Sequence, residues 1–298
     1  MTNPFTSDGQ WFKGNLHLHT TESDGEMEPQ EAIDSYAERG YDFLSITDHR
    51  RVTDPGPYDD RGMLLIPGIE FDGARSDMNS SYHIVGIGAE PGTEHPSMSG
   101  DNAMEIQEMV DYINENSEFC FSAHPSWSSL TIIDLVDVEG LIGVEVYNTT
   151  CDRGVGRGYS AVQWDALLAR GKRLYGFAVD DAHNHYDDAW TGFIMVRAEE
   201  CTEDSIISAI KNGQFYASNG PEIHHIQIED TEVIVECSPC QQVNVVCPYP
   251  GRGSTSWRVS DAPPYEHIRL PRKTDSHVFR IECIDSRGRV AWSNPVWP

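Results

Sequence analysis

The chain has 298 residues, 39% of them hydrophobic, 10% aromatic and 23% charged, enough for one large α/β domain and a small appendage in an ordinary globular protein. Its 48 acidic against 21 basic residues give a formal net charge of −27, which repels phosphate backbones and argues against a large nucleic acid as partner. No apolar run approaches the roughly 20 residues that a membrane span needs.

The first fifteen residues have no basic start and no apolar segment before a small-residue cleavage site, so a cytoplasmic chain without a secretory signal is expected. The odd count of seven cysteines fits reduced thiols. Strand-like runs rich in β-branched and aromatic residues then occupy 12–19, 41–49, 63–71, 82–88, 118–125, 141–148, 173–183 and 192–198. Between them lie helical patterns over 29–40, 102–116, 160–171 and 202–213, the last with Thr202 as its expected N-cap. Strands alternating with helices predict a parallel sheet, and about seven such units predict a barrel. At Gly220-Pro221 the pattern changes to short strands over 224–229, 232–237, 242–247, 256–260, 267–271, 277–283 and 289–295, broken by Pro, Gly and Asp. The expected division is a barrel over 1–220 and a small all-β sandwich domain over 221–298, immunoglobulin-like because Cys237, Trp257 and Cys283 follow the order of core residues in such domains.

Side chains two apart on a strand share a face, so His17 and His19 can reach a single ion, as can Asp181 and His183. His49, Glu70 and His124 close three other strands, His83 lies near the start of 82–88, and Asp24 follows His19 by five residues. In a barrel of parallel strands the C-terminal ends share one rim. Burying six histidines and three carboxylates there without a cation would cost several kcal/mol in desolvation and repulsion, so metal is the economical explanation.

H-x-H-T-x-x-S-D-G at 17–25, then T-D-H, G-I-E, H-I-V-G, A-H-P and D-A-H in that order resemble the PHP family, named after polymerases and histidinol phosphatase. The resemblance covers residues 15 to about 220. It implies a distorted (β/α)7 TIM-like barrel, two to three divalent metal ions (Mn, Fe or Zn) and hydrolysis of phosphate esters. Carried over by motif, His17, His19, Glu70 and Asp181 hold one ion and Asp24, His49 and His183 a second. Glu70, His83 and His124 hold a third, with Glu70 bridging. Some members place histidine where Asp24 stands, which makes the second site here harder. The stretch GQFYASNGPEI is similar to barrel tails in relatives with an appended β domain.

Metal ions close together lower the pKa of a bridging water, supply hydroxide at neutral pH and clamp phosphoryl oxygens during in-line displacement. Asp181, Asp48 and His185 are candidates for the leaving-group acid, and the sequence does not choose among them. Arg50 follows the second strand, and Arg153 and Arg157 lie in an expected glycine-rich loop, CDRGVGRGY at 151–159, after the strand ending near Asn148; these three are the expected phosphate clamps. The expected activity is hydrolysis of a phosphomonoester or cyclic phosphodiester on a small metabolite or nucleotide, with no nucleic-acid or membrane partner. The competing readings are an exonuclease-type phosphodiesterase and a catalytically idle, metal-stabilised scaffold with a β interaction domain.

Overall fold

In the computed structural model, residues 3–93, 104–185, 187–249, 254–259, 263–272 and 278–297 are described. The first strands are β1 (Gln10–Asn15), β2 (Phe43–Ile46), β3 (Leu64–Arg75), β4 (Ser81–Ile87), β5 (Phe119–Ser122), β6 (Leu141–Asn148), β7 (Tyr175–Val179) and β8 (Phe193–Ala198). Each falls within or overlaps an expected run. The helices are α1 (Pro29–Ala37), α2 (Ile106–Asn116), α3 (Ile132–Leu135), α4 (Thr149–Val155), α5 (Ala161–Ala169) and α6 (Glu203–Lys211). Pro29 opens α1, whose Ala32, Ile33 and Tyr36 form the buried face, one turn apart. A reciprocal capping box between Glu105 and Glu108 starts α2. Thr202 occupies the N-cap of α6, but its side chain makes no capping hydrogen bond. Residues 102 and 103 of the expected second helix, with Ser260 and His277 of the expected late strands, lie outside the described residues.

The strand order β8-β1-β2-β3-β4-β5-β6-β7 departs from an all-parallel arrangement. β1, β2 and β3 pair in parallel, as do β5, β6 and β7. β4 runs antiparallel to both β3 and β5, and β8 antiparallel to β1. The physical reason is the connection: residues 76–80 form a short hairpin turn with Asn79 at φ 62°, too short for the helical crossover that parallel neighbours require. Beyond the last residues of β1 and β7, a parallel bridge joins Leu18 to Ala182. His19 N donates to Ala182 O at 2.9 Å and Asp181 N to His17 O at 2.8 Å. The two segments that carry paired candidate ligands are thereby laced together.

Downstream come β9 (Phe215–Ser218), β10 (Ile223–Ile228), β11 (Glu232–Cys240), β12 (Gln242–Val246), β13 (Thr255–Arg258), β14 (Tyr265–Pro271), β15 (Arg280–Ile284) and β16 (Val290–Ser293). β9 joins β8 on one side and β16 on the other, both antiparallel, so one sheet of thirteen strands runs through the molecule. A separate sheet, β10-β11-β14, supplies Ile226, Val235 and Leu270 to a core shared with Tyr216, Val243 and Ile281 of the large sheet. The architecture is therefore mixed α/β with one large and one small sheet. Cys237 and Cys283 are buried as expected, whereas Trp257, on the edge strand β13, is 48% exposed and forms no part of that core. All seven cysteines are free. No helix among the described residues is long and apolar enough to cross a membrane.

Candidate metal centre

The lacing between β1 and β7 brings His17, His19 and Asp181 to one point, which Glu70 of β3 completes. His17 is fixed from behind, its Nδ1 lying 2.6 Å from Glu145 Oε1. Glu145 Oε2 accepts from the His124 amide at 2.7 Å and Asn148 Nδ2 at 2.8 Å. With Nδ1 engaged, His17 Nε2 faces Glu70 Oε2 at 3.2 Å and Asp181 Oδ1 at 3.1 Å. His19 Nε2 lies 3.0 Å and 3.1 Å from the same two oxygens. Asp181 stands at φ 54° and His124 at φ 26°, left-handed backbone that non-glycine residues adopt at a cost and that is concentrated at functional sites.

Among the described residues nothing hydrogen-bonds to the buried Asp181 Oδ1 or to His49 Nδ1. A neutral His17 that donates from Nδ1 presents a lone pair at Nε2, so acceptors converge with spacings near 3 Å. That is about the spacing of neighbouring ligands held at right angles by bonds of roughly 2.0–2.2 Å, and imidazole with carboxylate is a donor set suited to Zn, Fe and Mn. The residues fit a divalent cation. The local field agrees. Burial alone would lower the pKa of His17, but the charges of Asp181, Glu70 and Glu145 outweigh it and hold the imidazole well above its usual range. His19 is raised to about 9: burial alone would lower it, but the close carboxylates of Asp181 and Glu70 outweigh that effect. Glu70 and Asp181 are held below the usual carboxylate range by the surrounding histidines, against the opposing effect of burial.

Three groups of donor atoms each lie within 4.8 Å of one another: His17, His19, Glu70 and Asp181; His19, Asp24, His49 and His183; and His49, Glu70 and His83. In the second group, Asp24 Oδ1 is 3.5 Å from His183 Nε2 and its Oδ2 3.7 Å from His49 Nε2. His183 Nδ1 is tied to the Asp181 carbonyl at 2.7 Å, which aims Nε2 inward. Glu70 belongs to two groups and also lies 3.4 Å from His124 Nε2, with His124 outside the third group. His49 stands between the second and third groups through Glu70 Oε2 at 3.2 Å.

The loop carrying Asp24 is held by Asp48. This carboxylate accepts from Thr20 N at 2.7 Å, Thr20 Oγ1 at 2.8 Å, Ser23 Oγ at 2.7 Å and Thr53 Oγ1 at 2.5 Å. Asp48, expected among the leaving-group acids, is fully buried and does not line the cavity. Gly25 is required in the same loop because a Cβ there would run into the His19 carbonyl.

Above the ligands opens a cavity of ≈ 390 Å³ lined by Asp24, His49, Glu70, His83, His124, Asp181, His183 and His185, and by Trp127, Thr150, Cys151, Gly154 and Val155. No arginine or lysine lines it among the described residues. The expected clamps are elsewhere. Arg50 is spent on Asp72 in a two-pronged ion pair of 2.6 and 2.7 Å, Arg153 is exposed, and Arg157 donates to Ser129 Oγ at 2.9 Å. The segment 151–159, expected as a loop, begins inside α4, whose first turn is capped by Asn148 Oδ1 accepting from Cys151 N and whose end is turned by Gly156 at φ 69°. That helix carries Arg153 on its outer side and brings Thr150, Cys151, Gly154 and Val155 to the cavity. Glu145, Asn148 and Trp127 were not singled out in the sequence, although a lone carboxylate inside the apolar run 141–147 was a usable signal for Glu145.

No family model matches the sequence, and no curated protein does. Among solved structures, the chain is similar to a two-domain protein from Bacteroides vulgatus ATCC 8482 containing a predicted PHP-like metal-dependent phosphoesterase, at 16% identity and a TM-score of 0.54, over 93% of this chain and 91% of that one. Weaker likenesses are to a proposed metal-dependent phosphoesterase from Bifidobacterium adolescentis ATCC 15703 (17% identity, TM-score 0.43, 57% of this chain and 87% of that one) and to an amidohydrolase from Chromobacterium violaceum with bound sulfate and no metal (17% identity, TM-score 0.46, 68% and 96%). The chain thus shares, along almost its whole length, the fold of a two-domain protein with a PHP-like portion, the architecture that its ordered histidine and aspartate motifs imply.

Proposed function

We propose that the chain is a metal-dependent hydrolase and, within that class, a phosphoesterase of small molecules, cleaving a phosphomonoester or a cyclic phosphodiester of a metabolite or nucleotide. The observation that carries this reading is the convergence of His17 Nε2, His19 Nε2, Glu70 Oε2 and Asp181 Oδ1 at 3.0–3.2 Å. Two to three divalent ions (Mn, Fe or Zn) would be held by the three donor groups, with residues 1–220 as the catalytic unit and 221–298 as an appended β unit. When bound, such ions supply Lewis acidity toward a phosphoryl oxygen and a water of lowered pKa.

The chain's own part is positioning and proton transfer. Glu145 and the Asp181 carbonyl orient His17 and His183, so these rings keep their direction in the absence of substrate. Asp181 is committed to His17, His19 and Asn148, which leaves His185, 42% exposed and lining the cavity, as the group placed to protonate a leaving group. The net charge and a described cavity lining without lysine or arginine count against a nuclease, and the intact donor groups count against an idle scaffold.

The test is turnover of p-nitrophenyl phosphate and bis-p-nitrophenyl phosphate by protein reconstituted with Mn²⁺, with and without chelator. Metal content is read in parallel by inductively coupled plasma mass spectrometry. Full activity in metal-free protein, or a metal-loaded protein inert toward every ester offered, would sink the proposal.

A further inference from the structure

The cavity has two unlike halves. Its floor is the histidine and carboxylate cluster; its wall is Trp127, Val155, Cys151 and Gly154, with Thr150 as its one hydroxyl among the described residues. Trp127 lies five residues past the end of β5, in the turn that follows His124. Its ring meets those of His83 and His124 at steep angles, with centroids 5.8 and 4.9 Å away. The indole is thereby braced against the cluster while remaining 43% exposed. Val155, at the end of α4, is 61% exposed on the same cavity. Large apolar groups left open beside a polar centre are the usual mark of a recognition surface, since burial of that area is available only to a ligand.

The charge of the wall narrows the ligand. No lysine or arginine lines it among the described residues, and two of the expected clamps, Arg50 and Arg157, hold partners at Asp72 and Ser129. A second phosphate or a carboxylate on the substrate would enter a chain of net charge −27 with no lysine or arginine on the described cavity lining to meet it. One phosphoryl group has a place at the floor. The remainder of the molecule has an aromatic wall.

We infer that the site selects monophosphate esters of uncharged, flat apolar alcohols, with Trp127 as the residue that determines this preference. The inference rests on the phosphoesterase reading for its chemistry, but its selectivity can be read by binding alone. In the Mn²⁺-reconstituted protein, calorimetry should show benzylphosphonate binding about tenfold or more tighter than methylphosphonate, the gain expected from one buried aromatic contact. Trp127→Ala should abolish the difference, and Trp127→Phe should retain most of it, with metal content unchanged in both. In turnover, 1-naphthyl phosphate should exceed glycerol 1-phosphate in kcat/KM in the parent protein, and Trp127→Ala should erase that margin.

Equal affinity for the two phosphonates overturns the inference, as does equal weakening of both by Trp127→Ala, which would make the indole a structural brace. Preference for a bisphosphate over a monophosphate ester overturns it too. Phosphonate discrimination without turnover of any ester would refute the phosphoesterase reading and still support the aromatic wall.

Discussion

Asp180 and Asp181 share a peptide bond and serve opposite surroundings. Asp180 is fully buried and collects hydrogen bonds from Tyr36 Oη, Thr149 Oγ1 and the amides of Trp190, Thr191 and Gly192, all at 2.7–2.9 Å. Asp181, turned by its left-handed backbone, points Oδ1 at His17 and His19 with no hydrogen-bonded partner among the described residues. The first aspartate ties helix, loop and strand together; the second is offered to a cation.

Substitution at the pair should therefore separate stability from metal. Asp180→Asn replaces an acceptor of five donors with a group that brings two donors of its own, and should cost about 2–3 kcal/mol in the unfolding free energy. Asp181→Asn should cost less than Asp180→Asn in metal-free stability, because no described hydrogen bond ends on its Oδ1, and should instead reduce bound metal. Urea unfolding of metal-free protein and metal analysis of both variants check this. Equal destabilisation by the two would refute the division of labour.

Metal should also stabilise the fold. At 100 times its dissociation constant, an ion that binds only the native state adds about 2.7 kcal/mol. Mn²⁺ should accordingly raise the Tm of stripped wild-type protein, and EDTA should reverse the shift. Glu70→Gln, which removes the carboxylate shared by two donor groups, should lose most of that increment. An unchanged melting curve on adding metal to the wild type would contradict the assignment of the centre.

Arg280 is 1% exposed and forks onto Asp165 of α5, both bonds at 2.9 Å, while also reaching Glu282 at 2.6 Å. It joins the late strand β15 to a helix of the first part of the chain. Arg280→Met keeps the stem but strands the paired carboxylates, and should cost about 3 kcal/mol; Arg280→Lys should recover only part, since an ammonium cannot reproduce the fork. Denaturant midpoints of the three proteins give the comparison. Full recovery by lysine would show that charge alone matters.

Arg157→Ala should be nearly silent. The guanidinium is exposed, donates to Ser129 and lies outside the cavity lining, so kcat/KM should change by no more than a factor of about 2. A loss of tenfold or more toward a small ester would return the arginine to the role that its sequence position suggested.

Eight of the nine candidate ligands fall in the three donor groups, and they stood out in the sequence because metal chemistry leaves short-range marks: His17 and His19 two apart on a strand end, Asp181 and His183 repeating the device, and acidic and imidazole groups closing apolar runs. Other features depend on distance in space. The antiparallel course of β4 follows from a five-residue hairpin whose strands individually resemble any others. Arg50 follows its strand as a clamp would, but Asp72 across the sheet claims it. Asp48 stands beside His49 in T-D-H, and only the fold shows Thr20, Ser23 and Thr53 closing around it. The segment containing Arg153 looked like a glycine-rich loop because its helix is short and owes its start to Asn148, whose capping role needs the preceding strand to be in place.

The pairing of β16 with β9 has a consequence for biosynthesis. A chain leaving the ribosome N-terminus first completes β9, and every ligand of the metal centre, long before Val290–Ser293 emerges to cover the outer edge of that strand. Until then the amides and carbonyls of residues 216–218 are an open template for another chain. β16, which closes this edge, follows all nine candidate ligands in the chain, so a nascent or truncated chain ending before Val290 would hold those residues and still fail, by self-association rather than by loss of chemistry.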